Sequence, residues 1–211
     1  MDEDDTPRID VRENAFLRVA NVTSLTGTNG EELETKPVMA LCRCGMSQNK
    51  PFCDGSHKRN GFDGSPADGE VKEKVLSYRG EEIDIHYSIL LCSHAAECGR
   101  RLEAVFDQNR RPWIDPDMGS VEDIKAVVAA CPSGALRYNL KDADPNHIEG
   151  DGVSIKIDKN GPYRVSGISL ADAKFSDAAT EKKYVLCRCG LSRHKPFCDG
   201  SHKDQGWSDE G

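Results

Sequence analysis

No apolar run in this chain approaches the roughly 20 residues that cross a bilayer as a helix, so the sequence offers no membrane span. Aromatic residues are scarce at 6%, and only 37% of residues are apolar against 19 Gly and 10 Pro. Cores made from that supply are small and loops are abundant, a combination that needs staples. Basic excess is missing too. With a formal net charge of -8, most of the surface would repel a phosphate backbone or an anionic membrane, which excludes wholesale nucleic-acid and membrane binding. The segment Met1-Asp2-Glu3-Asp4-Asp5 is opposite in character to a basic secretory or transit segment, so a soluble cytoplasmic protein is expected. No Ser-His-Asp set, glycine-rich phosphate loop or dinucleotide fingerprint appears, and the chain reads as a binding or carrier protein rather than an enzyme.

Cysteine, by contrast, is plentiful. The nine cysteines fall into three groups of three, at 42/44/53, 92/98/131 and 187/189/198. A reducing cytosol keeps thiols free, and an odd count leaves one without an intramolecular partner. Three metal sites therefore explain the pattern better than disulfides.

Two of the groups are copies. Cys42 to His57 reads CRCGMSQNKPFCDGSH and Cys187 to His202 reads CRCGLSRHKPFCDGSH, an internal duplication. The likeness extends upstream, where ENAFLRVANVTSL (Glu13 to Leu25) corresponds to KNGPYRVSGISL (Lys159 to Leu170), with Asn14 over Asn160, Arg18 over Arg164 and Val19 over Val165. The repeat is a whole small lobe.

Apolar and polar residues alternate around Phe16, Val19 and Val22 and again around Val153, Ile155 and Ile157, which predicts short antiparallel strands. Each Asp-Gly-Ser-His end could open one helical turn, with Asp54 and Asp199 as N-caps. Gly61 to Gly69 and Lys141 to Gly152 read as linkers. The domains are therefore expected at 7–60, 71–140 and 152–205. In the middle one, Ile83, Ile85 and Tyr87 alternate as a strand, and a helix is expected from Ala95 to Phe106. A second helix starts at a capping box, Ser120-Val121-Glu122-Asp123, continues through Val121, Ile124, Val127, Val128 and Cys131 at helical spacing, and stops at Pro132. The fold class expected is α+β, with small loop-rich β lobes carrying cluster-binding loops around a ferredoxin-like α+β domain.

Three cysteines and one histidine could hold a four-coordinate zinc or an iron–sulfur cluster. Spacing favours the cluster, because two cysteines one residue apart are too close for the usual zinc knuckle. In a 2Fe–2S rhomb one iron would take Cys42 and Cys44 and the other Cys53 and His57; the second lobe repeats this with Cys187, Cys189, Cys198 and His202. Neutral imidazole in place of a fourth thiolate should raise the potential and make the clusters leave more readily in acid. Basic residues around the motifs, Arg43, Lys50, Lys58 and Arg59 in one and Arg188, Arg193, Lys195 and Lys203 in the other, are expected to form a solvated rim, with a docking patch for an acidic redox partner as the sharper reading. His86, His147 and His194 match no motif position and are expected to be surface or packing residues.

The pattern C-x-C-x2-S-x3-P-x-C-D-G-S-H, matched at every position by both copies, including Ser47 and Ser192, Pro51 and Pro196, and Asp54 and Asp199, resembles that of the CDGSH iron–sulfur family. The resemblance implies a 2Fe–2S cluster in each lobe. Single-lobe members of the family pair as homodimers, so two lobes on one chain imply a monomer built as an intramolecular pseudo-dimer.

In the central stretch, Cys92, Cys98 and Cys131-Pro132 form a ferredoxin arrangement with one cysteine missing, Ala95 standing in its place. The simplest outcome is a 3Fe–4S cluster on Cys92, Cys98 and Cys131. His94, beside the vacant position, could instead complete a 4Fe–4S cluster. CSHAAEC, EAVFDQNRRPWIDP and CPSGALRY resemble the divergent single-cluster ferredoxin domain that often accompanies CDGSH lobes. The expected function is one-electron transfer with partner oxidoreductases. Cluster storage, delivery to apo-acceptors or pH and redox sensing is the alternative, and a zinc-stabilised interaction module the third.

Overall fold

The computed structural model describes residues 5–67, 73–150 and 152–210; Gly69 and Val71, used above as boundaries, lie outside them, as do Met1 to Asp4. In chain order the first lobe holds β1 (Arg8–Val11), β2 (Leu17–Ala20), β3 (Leu25–Thr26), β4 (Val38–Leu41) and α1 (Ser56–Arg59). The middle unit holds β5 (Val75–Tyr78), β6 (Ile83–Ser88), α2 (Glu97–Arg101), a 3-10 turn (Pro116–Met118), α3 (Val121–Ala130) and β7 (Leu136–Leu140). The second lobe repeats the first with β8 (Ser154–Ile157), β9 (Tyr163–Ser166), β10 (Ser169–Ala171), β11 (Lys183–Leu186) and α4 (Ser201–Asp204). Strands and a few short helices in small sheets make the fold α+β, as expected.

Strands of two to four residues are too short to stand alone, and the lobes solve this by exchange. One sheet runs β10-β1-β2-β4 and the other β11-β9-β8-β3. Each lobe thus lends a strand to its copy: Ile9 of β1 lies beside Leu170 of β10, and Leu25 of β3 beside Ile155 of β8, both pairs parallel. Inward positions from both lobes, among them Ile9, Leu17, Val19, Leu25, Ile155, Tyr163, Val165 and Leu186, merge into one core. Neither lobe has a complete sheet or core without the other.

The middle unit has its own core. Strands β5-β6-β7 form an antiparallel sheet, and Ile83, Ile85, Ile124, Val127 and Val128 pack beneath it with Phe106 and Cys131. Ser120 caps the helix as expected: its hydroxyl accepts from Asp123 N at 3.1 Å, but it is also this hydroxyl, not the Ser120 N–H of a full capping box, that donates to Asp123 Oδ2 at 2.7 Å, and α3 ends at the Cys131 cap. The helix expected from Ala95 to Phe106 is shorter. It starts after Ala96, which sits at φ 60 with no side-chain cap, and stops at Leu102. Val105 and Phe106 turn inward as fully buried residues, and Phe106 bridges to Ile114. Burial of these two apolar side chains outweighs another turn of helix. His86 hydrogen-bonds Ser77 and Asn139, and His147 faces the Ala178 carbonyl; both are packing residues.

The middle unit docks on the second lobe. Its ties to that lobe include Arg164 with Glu97, the Ser176 hydroxyl and Ala178 N with Glu73, and the Thr180 hydroxyl with Glu149. The strongest tie is Lys183, whose buried ammonium donates to the carbonyls of Val128 and Ala129 at the end of α3 and of Ile148, at 3.1, 3.2 and 2.5 Å. Burial pushes this amine below its ordinary range, but two of the three carbonyls lie at a helix C-terminus, where a cation is favoured. Removing it would leave those carbonyls dry. Lys183→Met is therefore expected to cost about 2 kcal/mol and lower the thermal midpoint, while Lys182→Met, at an exposed neighbour, changes it little; calorimetry on the two variants checks this.

Candidate metal centres

In each lobe the donors come from three pieces of chain. The last residue of the fourth strand leads into the first cysteine, so Cys42 and Cys187 follow Leu41 and Leu186 directly. The third cysteine returns by an isolated bridge, Leu41 to Phe52 and Leu186 to Phe197. The histidine is the second residue of a one-turn helix. Asp54 and Asp199 are not its N-caps; that place falls to Gly55 and Gly200 in left-handed backbone. Each aspartate acts one residue earlier, accepting from Ser56 N or Ser201 N with one oxygen and from Gln48 N or Arg193 N with the other. The hydroxyls of Ser47 and Ser192 donate to Phe52 O and Phe197 O, both at 2.7 Å, and brace the same loop.

The donors stand in pairs. Cys42 and Cys44 Sγ are 3.6 Å apart, and Cys187 and Cys189 Sγ 3.7 Å. Cys53 Sγ lies 3.3 Å from His57 Nδ1, and Cys198 Sγ 3.5 Å from His202 Nδ1. Two ligands on one tetrahedral ion, with thiolate and imidazole bonds of ordinary length, would stand about 3.8 Å apart for two sulfurs and about 3.6 Å for sulfur and nitrogen. Among the described residues no three His, Cys, Asp or Glu side chains converge on a single-ion site. The donors thus fit two metal ions per lobe, two ligands each, and not one zinc tetrahedron. Buried His57 Nε2 has no protein partner, so the ring is anchored through its Nδ1 side alone.

The thiols also influence one another's ionisation. Two thiolates this close oppose each other's ionisation. The hydrogen bond from Cys44 holds the Cys42 thiol down at about 6, while Cys44, which gives that bond, is driven well above its ordinary value. Cys187, held at about 7 by Cys189, repeats this. Burial pushes Cys198 up to about 12. A metal ion bound by such thiols favours their ionised form.

Arg43 and Arg188 do not belong to a solvated rim: they are only 4% and 3% exposed. Arg43 donates to the carbonyls of Ala15 and Arg12, and Arg188 to those of Gly161 and Asp158, so each ties the cysteine loop to the turn before β2 or β9. Lys58, Arg59, Arg193 and Lys203 are exposed as expected. His194 is half-buried against Phe197, its ring centroid 5.3 Å away.

The two cysteine loops meet back to back. Gly45 and Gly190 have φ 79 and 80, and a Cβ on either would fall 2.4 Å from Cys189 O or 2.7 Å from Cys44 O. Only glycine permits this approach. Tyr163, fully buried, donates to Cys42 O at 2.7 Å across the same junction. A cleft of about 640 Å³ reaches Cys44 and Cys189 between Phe62 and Trp207. Sequence reasoning missed Tyr163, Trp207 and Asp209. Trp207 stacks on Arg188 at 4.8 Å, and Asp209 pairs with Arg188 and accepts from Asn160 N. Both lie beyond residue 205, where the second lobe was expected to end; the repeat offered a signal, since Trp207 stands where the first lobe has Phe62, which also packs on its arginine, Arg43.

In the middle unit Cys131 belongs to the buried core, and Cys92 and Cys98 pack against that same core. Burial raises Cys98 to about 11 and shifts Cys92 upward, and each of the two is also opposed by charge on Cys131. The Tyr87 hydroxyl hydrogen-bonds Cys92. The His94 backbone hydrogen-bonds the Cys92 thiol, and its exposed ring lies against Gly200 of the second lobe.

Fold and donor sets define a metal-centre protein: two duplicated cysteine–histidine lobes sharing one core, with a three-cysteine unit between them. Residues 16–58 and 160–203 match the family described as "Iron-binding zinc finger CDGSH type", and residues 78–141 match "Divergent 4Fe-4S mono-cluster". Two relatives, each called "Uncharacterized protein YjdI", from Escherichia coli strains K12 and O157:H7, are 41% identical over 64 residues, 30% of this chain and 84% of theirs. The chain belongs to the CDGSH iron-binding family, with a divergent 4Fe–4S mono-cluster unit between its two lobes, and is an iron–sulfur protein. No helix among the described residues is long and apolar enough to cross a membrane.

Because Asp54 and Asp199 knit the loops, their loss should cost metal. Hydrogen bonds from Gln48 and Ser56 hold the Asp54 carboxyl below its usual range; at Asp199 burial works upward, but the bonds from Ser201 and Arg193 outweigh it. A depressed carboxylate stabilises the fold above the unfolded value near 3.9 and is lost only as pH falls through its lower folded value. These braces thus persist at pH 5. Iron and sulfide per chain are expected to fall by at least half in the Asp54→Ala, Asp199→Ala double variant and to be unchanged for the wild type between pH 8 and 7.

Proposed function

We propose that the chain carries two 2Fe–2S clusters, on Cys42, Cys44, Cys53 and His57 and on Cys187, Cys189, Cys198 and His202, and serves in the cytoplasm as a one-electron carrier between redox proteins. The observation that carries this reading is the two-by-two pairing of donors in both lobes. Bound there, a cluster supplies a one-electron couple and needs no open ligand position. The residues do the rest. The histidines and all the cysteines but half-buried Cys53 are buried from water, Arg43 and Arg188 bring positive charge beside anionic thiolates, and the shared core fixes one site relative to the other.

The central unit offers three thiolates, the ligand set of a 3Fe–4S cluster on Cys92, Cys98 and Cys131. A 4Fe–4S cluster there would take its fourth ligand from something other than cysteine, and His94, whose backbone hydrogen-bonds the Cys92 thiol, is the neighbouring candidate. Delivery of a cluster to an apo-acceptor is the second reading, favoured by one observation: Cys53 is half-buried where Cys198 is 3% exposed. Mixing with an apo-ferredoxin separates the two, since a carrier is reduced and reoxidised without losing iron.

Electron paramagnetic resonance with iron and sulfide analysis on anaerobically prepared protein tests the whole reading. Two 2Fe–2S signals per chain plus one central signal are expected; a colourless, zinc-only preparation would sink it. Replacing His57 and His202 by Cys adds one anionic ligand per site, so the midpoint potentials should fall by on the order of 100 mV, and the clusters should survive acid longer, followed by visible absorbance against pH.

A further inference from the structure

The two lobes are copies, but their surroundings are not. On the second lobe, the loop of residues 92–98 covers the Cys-Asp-Gly-Ser-His turn. A Cβ on Gly200 would stand 2.5 Å from His94 Cδ2, Lys203 Nζ donates to the His94 carbonyl, and Arg164 pairs with Glu97 at 3.2 Å. This is a docking site occupied by a cysteine-loop unit that is acidic, with 14 carboxylates against 9 cationic side chains in residues 73–150.

Among the described residues, none covers the corresponding turn of the first lobe. Gly55, the copy of Gly200, would meet no atom within 4 Å of an added Cβ. Lys58, the copy of Lys203, is exposed, and its ammonium makes no hydrogen bond or ion pair among the described residues. Arg18, the copy of Arg164, is 25% exposed against 26%, and is held by Asp10 at 2.9 Å in place of an outside carboxylate. Asp204 of the second lobe is replaced by Arg59, which leans on Asp54. The open face is therefore the more basic of the two.

We propose that this face, around Gly55, Lys58 and Arg18, docks a separate small acidic ferredoxin-type protein, whose cluster loop sits on it as residues 92–98 sit on the second lobe. The inference rests on the carrier reading and deepens it. The middle unit engages the second site from within the chain, and the first site is the terminal for an outside partner. Steering by opposite charge makes the encounter fast and sensitive to salt.

Binding, not electron flow, is the readout, so docking and cluster chemistry are scored apart. An acidic plant-type 2Fe–2S ferredoxin and an acidic bacterial 4Fe–4S ferredoxin are each titrated into the iron-loaded protein at low salt, with carbodiimide cross-links mapped by mass spectrometry. Lys58→Glu is expected to weaken binding at least tenfold and abolish the cross-link at position 58. Lys36→Glu, the same charge change at an exposed site elsewhere on the lobe, is expected to weaken it less than twofold. Equal weakening by both variants, cross-links gathered at Lys50 beside the cleft between the lobes, or binding by neither ferredoxin would overturn the proposal. Iron and sulfide content stays unchanged in Lys58→Glu, so a failure of docking is distinguishable from a failure of cluster binding.

Discussion

The close approach of Cys44 and Cys189 backbone to Gly190 and Gly45 is the contact around which the rest is organised. It forces both cysteine loops to turn at the same place, brings the inner sulfurs of the two lobes to one junction, and leaves no room for a side chain there. The exchanged strands follow from it. Once the loops are locked back to back, strands of two to four residues gain partners across the junction, β1 with β10 and β3 with β8, and a chain poor in aromatic residues acquires one adequate core instead of two inadequate ones.

Duplication gives symmetry, and the inserted unit removes it. Lys183, Arg164 and Lys203, all from the second lobe, hold the three-cysteine unit, so copies of one motif live in different surroundings. Cys198 and Gly200 are buried where Cys53 and Gly55 are half-exposed. Two sites with the same ligands can then differ in access, which matters more for a carrier than any difference in the ligands themselves.

Much of the chemistry was legible in the residues. The repeated motif, the pairing of Cys42 with Cys44 and of Cys53 with His57, and the helix cap at Ser120 all rest on spacing within a few positions, where covalent geometry leaves few choices. What depended on distant chain was not. Arg43 and Arg188 read as surface charges, because nothing local reveals that carbonyls about 30 residues upstream, at Arg12, Ala15, Asp158 and Gly161, will receive them. The helix expected through Phe106 stopped at Arg101, because burial of Val105 and Phe106 against the middle core outweighed local propensity. Nor could spacing show that the His94 ring meets Gly200, a glycine more than 100 residues away.

The sequence by itself determined which atoms can hold metal and that they occur in two copies, since soft donors at fixed spacing are a local property of the chain. Tertiary structure alone decided that the copies share a core, and that the middle unit covers one of them and, among the described residues, leaves the other open. Those outcomes turn on contacts between segments that carry no mark of each other, formed only when burial and charge across the whole fold are balanced together.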